Sequence, residues 1–297
     1  MLQNIVSGIK RKIAKIGLDP EWDVIVKPRT GWFDINLREV WRYRDLAKLY
    51  VYRDFTVTYK QTILGPAWWF IQPFLTSGMY SIIFGAIAGI PTDGVPMILF
   101  YVSGIVCWNY FSSCLTDTSN TFITNAGVFS KVYFPRLVVP IASILSNLIK
   151  FSIQFVMFLL IYLVYLFNSA DIQPSFWILI LPLLLVHTAA LAGGLGIIAS
   201  SMTTKYKDLS FAMTYLVQMA MYATPIIYPF SMVPEKWRFL VMLNPMVPVI
   251  EIFRLAFLGV GTVTISMVAG SIGFMLLCLF CGVIFFSRVE KNFADTI

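Results

Sequence analysis

The chain has 297 residues, of which 58% are hydrophobic and 12% are charged, and its mean hydropathy is +0.78. A soluble domain is about 45–50% apolar and about 25% charged, so this composition excludes an ordinary soluble domain and indicates a polytopic membrane protein. The formal net charge of +7 is expected to set membrane topology and to meet lipid headgroups, with no nucleic acid as a partner.

Six apolar stretches are each long enough to form a helix that crosses the roughly 30 Å hydrocarbon core, which takes about 20 residues. These stretches are residues 67–90, 96–116, 137 or 151–167, 175–203, 209–230 and 263–287. The sequence therefore predicts an all-α membrane domain with six transmembrane helices over residues 67–297. A cytoplasmic or interfacial arm over residues 1–66 is expected to precede it.

The distribution of basic residues predicts the orientation of these spans, because Lys and Arg near span ends are retained on the cytoplasmic side. Most of the 22 Lys and Arg residues precede the first span, follow spans two and four, or lie in the C-terminal tail. Only Lys236, Arg238 and Arg254 fall on the other side, and Lys150 is undecided. We therefore expect both termini in the cytoplasm.

The segment from Leu37 to Lys60 has the spacing of an amphipathic helix, with apolar residues on one broad face and charged residues opposite. Arg44 and Lys48 intrude on the apolar face, where long basic side chains can snorkel. We predict that this helix lies in the inner membrane interface and that Gly65-Pro66 turns the chain into the first span. The alternative is a plain topogenic flank with no mechanical role.

Motifs for nucleotide, metal or acyl chemistry are absent from the sequence, which contains no GxxxxGK[ST], HExxH or GxSxG. The single histidine, His187, falls in span four, where a hydrogen-bonded packing role is more common than ligation. Asp117 and Glu251 are the carboxylates expected within the membrane. The sequence therefore favours a polar route through the membrane, driven by another protein, over an enzyme. No metal and no cofactor are expected in this chain.

Four sequence blocks carry a family resemblance: RDFTVTYKQTILGPAWWFIQP at 53–73, SKVYFPRLVVPIASILSNL at 130–148, LNPMVPVIEIFR at 243–254 and FSRVEKNFADTI at 286–297. They look like the membrane subunit of bacterial polysaccharide ABC exporters, which move O-antigen, capsule or teichoic acid chains. The resemblance implies a homodimer in the bacterial cytoplasmic (inner) membrane with two copies of a cytoplasmic ABC ATPase, which binds ATP and Mg. It also implies a lipid-linked polysaccharide as the substrate.

Three alternatives stay open beside this resemblance, and one of them, a passive channel or purely structural membrane scaffold, would need no nucleotide-binding partner. A type-2 ABC exporter of drugs or lipids would share the fold, whereas a polytopic enzyme of glycan-lipid assembly belongs to a different class. A polysaccharide exporter should show ATPase activity that is stimulated by a lipid-linked glycan, whereas an exporter of drugs or lipids should respond to small hydrophobic compounds. Turnover by the purified chain without an ATPase would support the enzyme.

One cytoplasmic segment matches the part of the family that couples the permease to its ATPase. The segment consists of Ser130, Lys131, Val132, Tyr133, Phe134, Pro135 and Arg136. A buried aromatic side chain can anchor such a segment in a groove of a soluble partner, and the flanking charges can orient it. An ordinary positive-inside loop is the alternative.

The resemblance also implies a route for the substrate between spans one and five. The residues expected to line it are Trp69, Thr76 and Tyr80 in span one and Phe211, Tyr215, Gln218 and Tyr222 in span five. Their hydrogen-bonding ends and apolar rings suit the mixed surface of a glycan, although packing against helices or lipid is the alternative. The residues expected to hold the lipid headgroup and form the gate are Arg44, Arg53, Tyr59, Lys60, Gly65 and Pro66.

The external segment from Ser231 to Gly259 is rich in proline and is interrupted by charges, so it predicts two short re-entrant helices rather than a span. Glu251 and Arg254 are spaced to meet on one helix face, where a structural pair is preferred over contact with substrate.

The start of span three is ambiguous because Lys150 interrupts its apolar run. If the span begins near Leu137, the ammonium lies about halfway across and needs water or a partner. If it begins near Lys150, after a break at Pro140, the ammonium snorkels at the inner surface. We prefer the second interpretation.

Overall fold

A computed structural model describes residues 37–60, 62–129, 131–132, 134–168, 172–204, 206 and 208–296. Within the predicted arm, residues 1–36 lie outside the described residues. The arm is therefore observed only as a helical segment that leads into the first span.

The described residues form twelve helices and a short 3₁₀ turn at Phe230–Met232, with no strand. The helices are α1 (Leu37–Arg42), α2 (Arg44–Tyr59), α3 (Gly65–Ile87), α4 (Met97–Ser119), α5 (Thr121–Thr124), α6 (Ala126–Phe129), α7 (Val138–Asn168), α8 (Phe176–Thr203), α9 (Asp208–Tyr222), α10 (Glu235–Met242), α11 (Val247–Leu258) and α12 (Ile265–Thr296). The all-α prediction is confirmed.

Five of these helices are long and apolar enough to cross a membrane, judged by length and composition over the described residues. They are α3, α4, α7, α8 and the Ile265–Ser287 part of α12. The stretch predicted as span five, 209–230, is helical only as α9, which ends at Tyr222. Pro225 explains the early end, because proline cannot donate to the helix and disfavours helical geometry in the residue before it.

Helix α4 is the central element of the bundle. The protein buries 78% of the apolar stretch of α4, whereas it buries only 17–33% of the corresponding stretches of the other four spans. It packs against α3, α7, α8, α9 and α11. A Cβ atom placed on Gly196 of α8 would lie 2.6 Å from the Cβ of Thr118 in α4, so this crossing tolerates no side chain. The remaining helices therefore surround α4 and present the apolar surfaces that a bilayer would cover.

Helix α7 corrects the preferred interpretation of span three. It runs without a break from Val138 to Asn168, through Pro140 and Lys150, so the predicted break at Pro140 is wrong, whereas the point along the helix at which the membrane core begins stays a prediction. Pro140 lies in the first turn, where backbone N–H groups have no partner within the helix and proline is tolerated. Lys150 is instead paired with Asp117 of α4, at 3.5 Å between Nζ and Oδ2.

The predicted amphipathic helix over residues 37–60 is present as α1 and α2, interrupted at Tyr43. Helix α2 packs mainly against α7. The chain leaves helical geometry after Lys60 and enters α3 at Gly65, whose φ of +50° is accessible to glycine at little cost. The structure therefore has a break between this helical segment and the first span, and the position of the segment in the membrane interface stays a prediction.

The two short helices predicted between spans five and six are α10 and α11, which meet at an angle of 101°. Pro234 precedes the first residue of α10, and Pro248 lies in the first turn of α11, where it costs no hydrogen bond. Gly259 ends α11 in the left-handed conformation, with φ of +72°. The proline positions thus account for both helix starts.

Candidate coupling site and transport pathway

A cluster of aromatic and apolar side chains joins α2, the α4–α7 connection and α12. We call it the aromatic cluster, and its buried members are Tyr50, Phe122, Phe129, Phe134, Val138, Val139, Ala142 and Phe286. The ring of Phe134 lies 5.5 Å from that of Phe129 and 6.2 Å from that of Tyr50. Phe122 continues the row, at 5.6 Å from Phe286 of α12. Ring pairs at these distances add to the energy of burial and fix the connection to the bundle.

The predicted coupling segment is attached to this cluster through Phe134, which is only 5% exposed. Ser130 and Tyr133 lie outside the described residues. Lys131 and Val132 are exposed, and Pro135 is buried. The guanidinium carbon of Arg136 lies 6.0 Å from the centre of the Phe129 ring. Phe134 therefore orders the segment from inside the protomer, and the role of the segment in coupling to an ATPase stays a prediction.

Arg53 ties α2 to the same region by polar contacts. Its guanidinium donates to Asp54 Oδ1 at 2.8 and 3.0 Å and to Asn125 Oδ1 at 3.3 Å. It also lies over the Tyr50 ring, 4.4 Å from the centroid. The hydroxyl of Ser146 in α7 donates to Asp54 Oδ2 at 3.4 Å. The charge of Arg53 is thus neutralised within the chain, and its expected contact with a lipid headgroup stays a prediction.

The other residues expected at the headgroup differ in exposure. Arg44 and Lys60 are exposed, with the Arg44 guanidinium carbon 5.9 Å from the Trp41 ring. Gly65 is buried and Pro66 is half-buried, whereas the side chain of Tyr59 lies outside the described residues. Arg44 and Lys60 are therefore exposed enough to meet a phosphate.

Two titratable groups on α2 have shifted pKa values. Burial in the aromatic cluster raises the pKa of the Tyr50 phenol, because the charged form would lose solvation. The Lys48 ammonium, 2.9 Å from Asp45, lowers the pKa of that carboxyl by a hydrogen bond and by its charge. Both groups therefore keep their ordinary charge at neutral pH: Tyr50 stays neutral and Asp45 ionised.

The stripe predicted on span five forms an open face of α9. Phe211 is 81% exposed, Tyr215 62% and Tyr222 55%, and Gln218 is exposed as well. The hydroxyl groups of Tyr222 and of Tyr80 in α3 are near enough to interact. The structure therefore brings one end of the two predicted stripes together, on a surface that the rest of the chain leaves uncovered.

The remaining predicted lining residues, Trp69 and Thr76, precede Tyr80 in α3. Trp69 is half-buried and packs against Phe55 of α2, with 5.7 Å between ring centroids. The hydroxyl of Thr76 donates to the carbonyl of Gln72 in its own helix. A lining role for Trp69 and Thr76, as for the α9 stripe, stays a prediction.

Glu251 and Arg254 form the predicted pair, with 3.5 Å between Oε1 and Nη1, and both are almost fully buried. Arg254 donates to the carbonyls of Pro225 and Ile226 at 2.7 and 3.0 Å. Its guanidinium carbon lies 3.6 Å from the centre of the Phe100 ring in α4. This pair holds the chain that follows α9 against the central helix, which is the structural role that the spacing favours.

His187 is hydrogen-bonded, as expected of a packing residue. Its Nε2 lies 2.9 Å from the hydroxyl of Ser271 in α12, and that hydroxyl donates to the carbonyl of Pro245 at 2.7 Å. Within the described residues, no three His, Cys, Asp or Glu side chains are grouped as metal ligands would be. The contact joins α8, α12 and the start of α11.

Several residues of the site were missed from the sequence. Phe122 and Phe286 of the aromatic cluster are far from each other in the chain. Asn125 is likewise far in the chain from Arg53, which it contacts. Asp54 stood in the quoted block, but its contact with α7 crosses 92 residues. No local periodicity signals such contacts, because they depend on how the helices pack.

Comparisons with known proteins agree with this architecture. The ABC-2 type transporter family model matches residues 46–258. The O-antigen export system permease protein RfbA of Klebsiella pneumoniae is 26% identical over 253 residues, covering 85% of this chain and 95% of the relative. The RfbA protein of Myxococcus xanthus is 25% identical, covering 74% of this chain and 83% of the relative. The inner membrane transport permease YadH of Escherichia coli K12 is 24% identical, covering 70% and 84%. Because the family model spans most of the chain, this protein belongs to the ABC-2 type transporter family.

Proposed function

We propose that this chain is the transmembrane subunit of an ATP-driven exporter that moves a lipid-linked polysaccharide across the bacterial cytoplasmic membrane. It acts as a homodimer with two copies of a cytoplasmic ABC ATPase, and both of its termini lie in the cytoplasm. ATP and Mg bind to the ATPase, and the chain itself takes no cofactor. The curated relatives named as O-antigen export permeases support the choice of polysaccharide over drugs or lipids.

The observation that carries the proposal is the open face of α9. Tyr215, Gln218 and Tyr222 project from the protomer, and Tyr222 lies near Tyr80 of α3. A glycan has apolar C–H faces and many hydroxyl groups, and rings with hydrogen-bonding ends complement both. Two such faces, one from each copy, would enclose a passage of this character at the dimer interface.

The aromatic cluster supports a mechanism for energy transfer. Lys131 and Val132 are exposed to a cytoplasmic partner, while Phe134 is packed within the bundle. A displacement of the exposed residues would be transmitted by the Phe134 ring to Tyr50 of α2 and, through Phe122, to α12. Closure of the ATPase on nucleotide would thus move α2 about the break at Gly65 and open the passage.

The headgroup of the substrate is received at the inner interface. Arg44 and Lys60 are exposed there, and basic side chains hold phosphate oxygens by charge-assisted hydrogen bonds. Arg53 joins them once Asp54 is displaced by the phosphate. The glycan that follows the headgroup is then presented to the passage between α3 and α9.

The test of function is the ATPase activity of the complex of this chain with its ATPase. Lipid-linked glycan extracted from the producing cells should stimulate ATP hydrolysis, whereas small hydrophobic compounds should leave the basal rate unchanged. Stimulation by the small compounds alone would replace the proposal with a drug or lipid exporter. Chemical conversion of the glycan lipid by the chain without an ATPase would make it an enzyme.

A second experiment tests the route. In a Cys281→Ala background, Gln218→Cys on α9 should react with a membrane-impermeant maleimide, because the passage holds water. Leu277→Cys on α12 is the matched control: it is also exposed on the protomer, at 57%, but would face lipid and should stay unlabelled. Equal protection of both thiols would show that the α9 face is covered by lipid or protein.

A further inference from the structure

One ion pair lies within the bundle, apart from the coupling segment and the α9 face. The Lys150 ammonium of α7 and the Asp117 carboxylate of α4 are 3.5 Å apart. Asn147, one turn before Lys150, donates to the same carboxylate oxygen at 2.9 Å. Lys150 also lies over the Trp69 ring of α3, 6.0 Å from its centroid. Three helices thus contribute a cation, an anion and an aromatic ring to one place.

The position of Lys150 along α7 puts this pair at membrane depth. The 31 residues of α7 extend about 46 Å, and Lys150 lies about 18 Å from the start. A core of about 30 Å leaves at most about 16 Å of the helix outside, so Lys150 lies at the inner edge of the hydrocarbon or deeper wherever the core lies within the helix. Ionisable residues at that depth face the bundle or water, pair with one another, and mark substrate routes.

The pair is also accessible. The side chain of Lys150 is 29% exposed and that of Asp117 44% exposed, so the site opens on the surface of the bundle. The distance of 3.5 Å is longer than a charge-assisted hydrogen bond of about 2.8 Å, so the ammonium keeps N–H groups for a ligand. Both contacts of Asp117 go to Oδ2, so among the described residues its Oδ1 accepts no hydrogen bond and is available as an acceptor.

The charges of the site select the class of ligand. One positive and one negative group cancel, so neither an anion nor a cation gains net attraction. A neutral ligand with several hydroxyl groups can accept from Lys150, donate to Asp117 and lay an apolar face on Trp69. A sugar ring has this combination of groups, whereas the acyl chains of the bilayer have none of the polar ones.

We propose that Lys150, Asp117 and Trp69 form a binding site for a sugar ring of the substrate as the glycan enters the membrane. The inference rests on the proposed function. It adds a site on α4 and α7 to the expected lining of α3 and α9, and it gives the ion pair a role beyond holding two helices together.

The experiment separates sugar binding from a structural role with the double variant Asp117→Leu/Lys150→Met. Replacing both members of an ion pair leaves no unpaired charge, so the complex should fold, with a melting temperature that falls slightly because Asn147, which is 1% exposed, loses its acceptor on Asp117. The concentration of extracted lipid-linked glycan that half-saturates ATPase stimulation should rise about tenfold or more, because hydrogen bonds to two charged groups are lost. The maximal rate should stay unchanged.

A charge-reversed variant and a distant control complete the test. Asp117→Lys/Lys150→Asp restores the ion pair but exchanges donor and acceptor, so stability should return while half-saturation stays high. Lys236→Gln removes a lysine that lies 5.6 Å from the Trp237 ring in a comparable geometry, and should change neither quantity. Unchanged half-saturation in the apolar double variant would overturn the site. A wild-type complex that the glycan does not stimulate would instead overturn the proposed function.

Discussion

Replacing Arg254 with methionine should destabilise the protein strongly. The substitution keeps the volume approximately but leaves the Glu251 carboxylate, which is 3% exposed, without its cation. The carbonyls of Pro225 and Ile226 lose their donors as well. Removing one member of a buried pair costs about 3–5 kcal/mol, because the remaining charge is uncompensated. Glu251 still accepts from the Thr262 N–H at 2.9 Å, which keeps the cost within this range.

The magnitude can be measured as a melting temperature of the purified chain. A loss of 3–5 kcal/mol should lower it by roughly 6–20 °C for a protein of this size. The double variant Glu251→Gln/Arg254→Met removes the orphaned charge and should recover about 2 kcal/mol of the loss. Arg238→Ala is the control, since Arg238 is half-buried and donates only to backbone carbonyls among the contacts of the described residues, Val233 O at 2.9 Å and Ser231 O at 3.5 Å. It should cost about 1 kcal/mol.

The outcome distinguishes a structural pair from a substrate contact. If Arg254→Met left the melting temperature unchanged but abolished glycan-stimulated ATPase activity, the pair would be part of the passage. The reasoning from burial would then be refuted.

Two further predictions concern the coupling region. Phe134→Ala should lower the free energy of unfolding by about 3–5 kcal/mol, because it leaves a cavity in the aromatic cluster. It should also lower glycan-stimulated ATPase activity more than basal ATPase activity. An equal loss of both activities would argue against a coupling role. Gly65→Ala should destabilise the chain by about 1–2 kcal/mol, because alanine tolerates φ of +50° poorly. Gly78→Ala is the control, since Gly78 lies in open space within α3 and its replacement should be neutral or slightly stabilising. Equal melting temperatures of the two variants would contradict the left-handed conformation of Gly65.

Elements that depend on local composition could be predicted from the sequence. Long apolar runs identified the spans, because a helix must cover the hydrocarbon core wherever it lies. Prolines at 234 and 248 marked the starts of α10 and α11. The spacing of Glu251 and Arg254 placed both on one face of a helix, and the structure has them 3.5 Å apart.

Features that depend on packing could not be predicted. The apolar residues after Pro225 extended the predicted span five beyond Tyr222, because they are buried in protein rather than in a membrane helix. The aromatic residues of the coupling segment were expected to anchor in a groove of a partner, and the packing of Phe134 against Tyr50 within the chain could not be predicted, since it joins residues 84 positions apart. Lys150 suggested a helix start, but its partner Asp117 lies on another helix and allows the charge within α7.

The central claim is that this chain conducts a glycan with energy that another subunit supplies. Proteoliposomes that contain the chain and its ATPase should move extracted lipid-linked glycan across the bilayer when ATP and Mg are present on the ATPase side, measured by protection of the glycan from an added glycosidase. Liposomes with the chain alone should move none. ATP-independent movement by the chain alone, or no movement by the complete complex, would contradict the account.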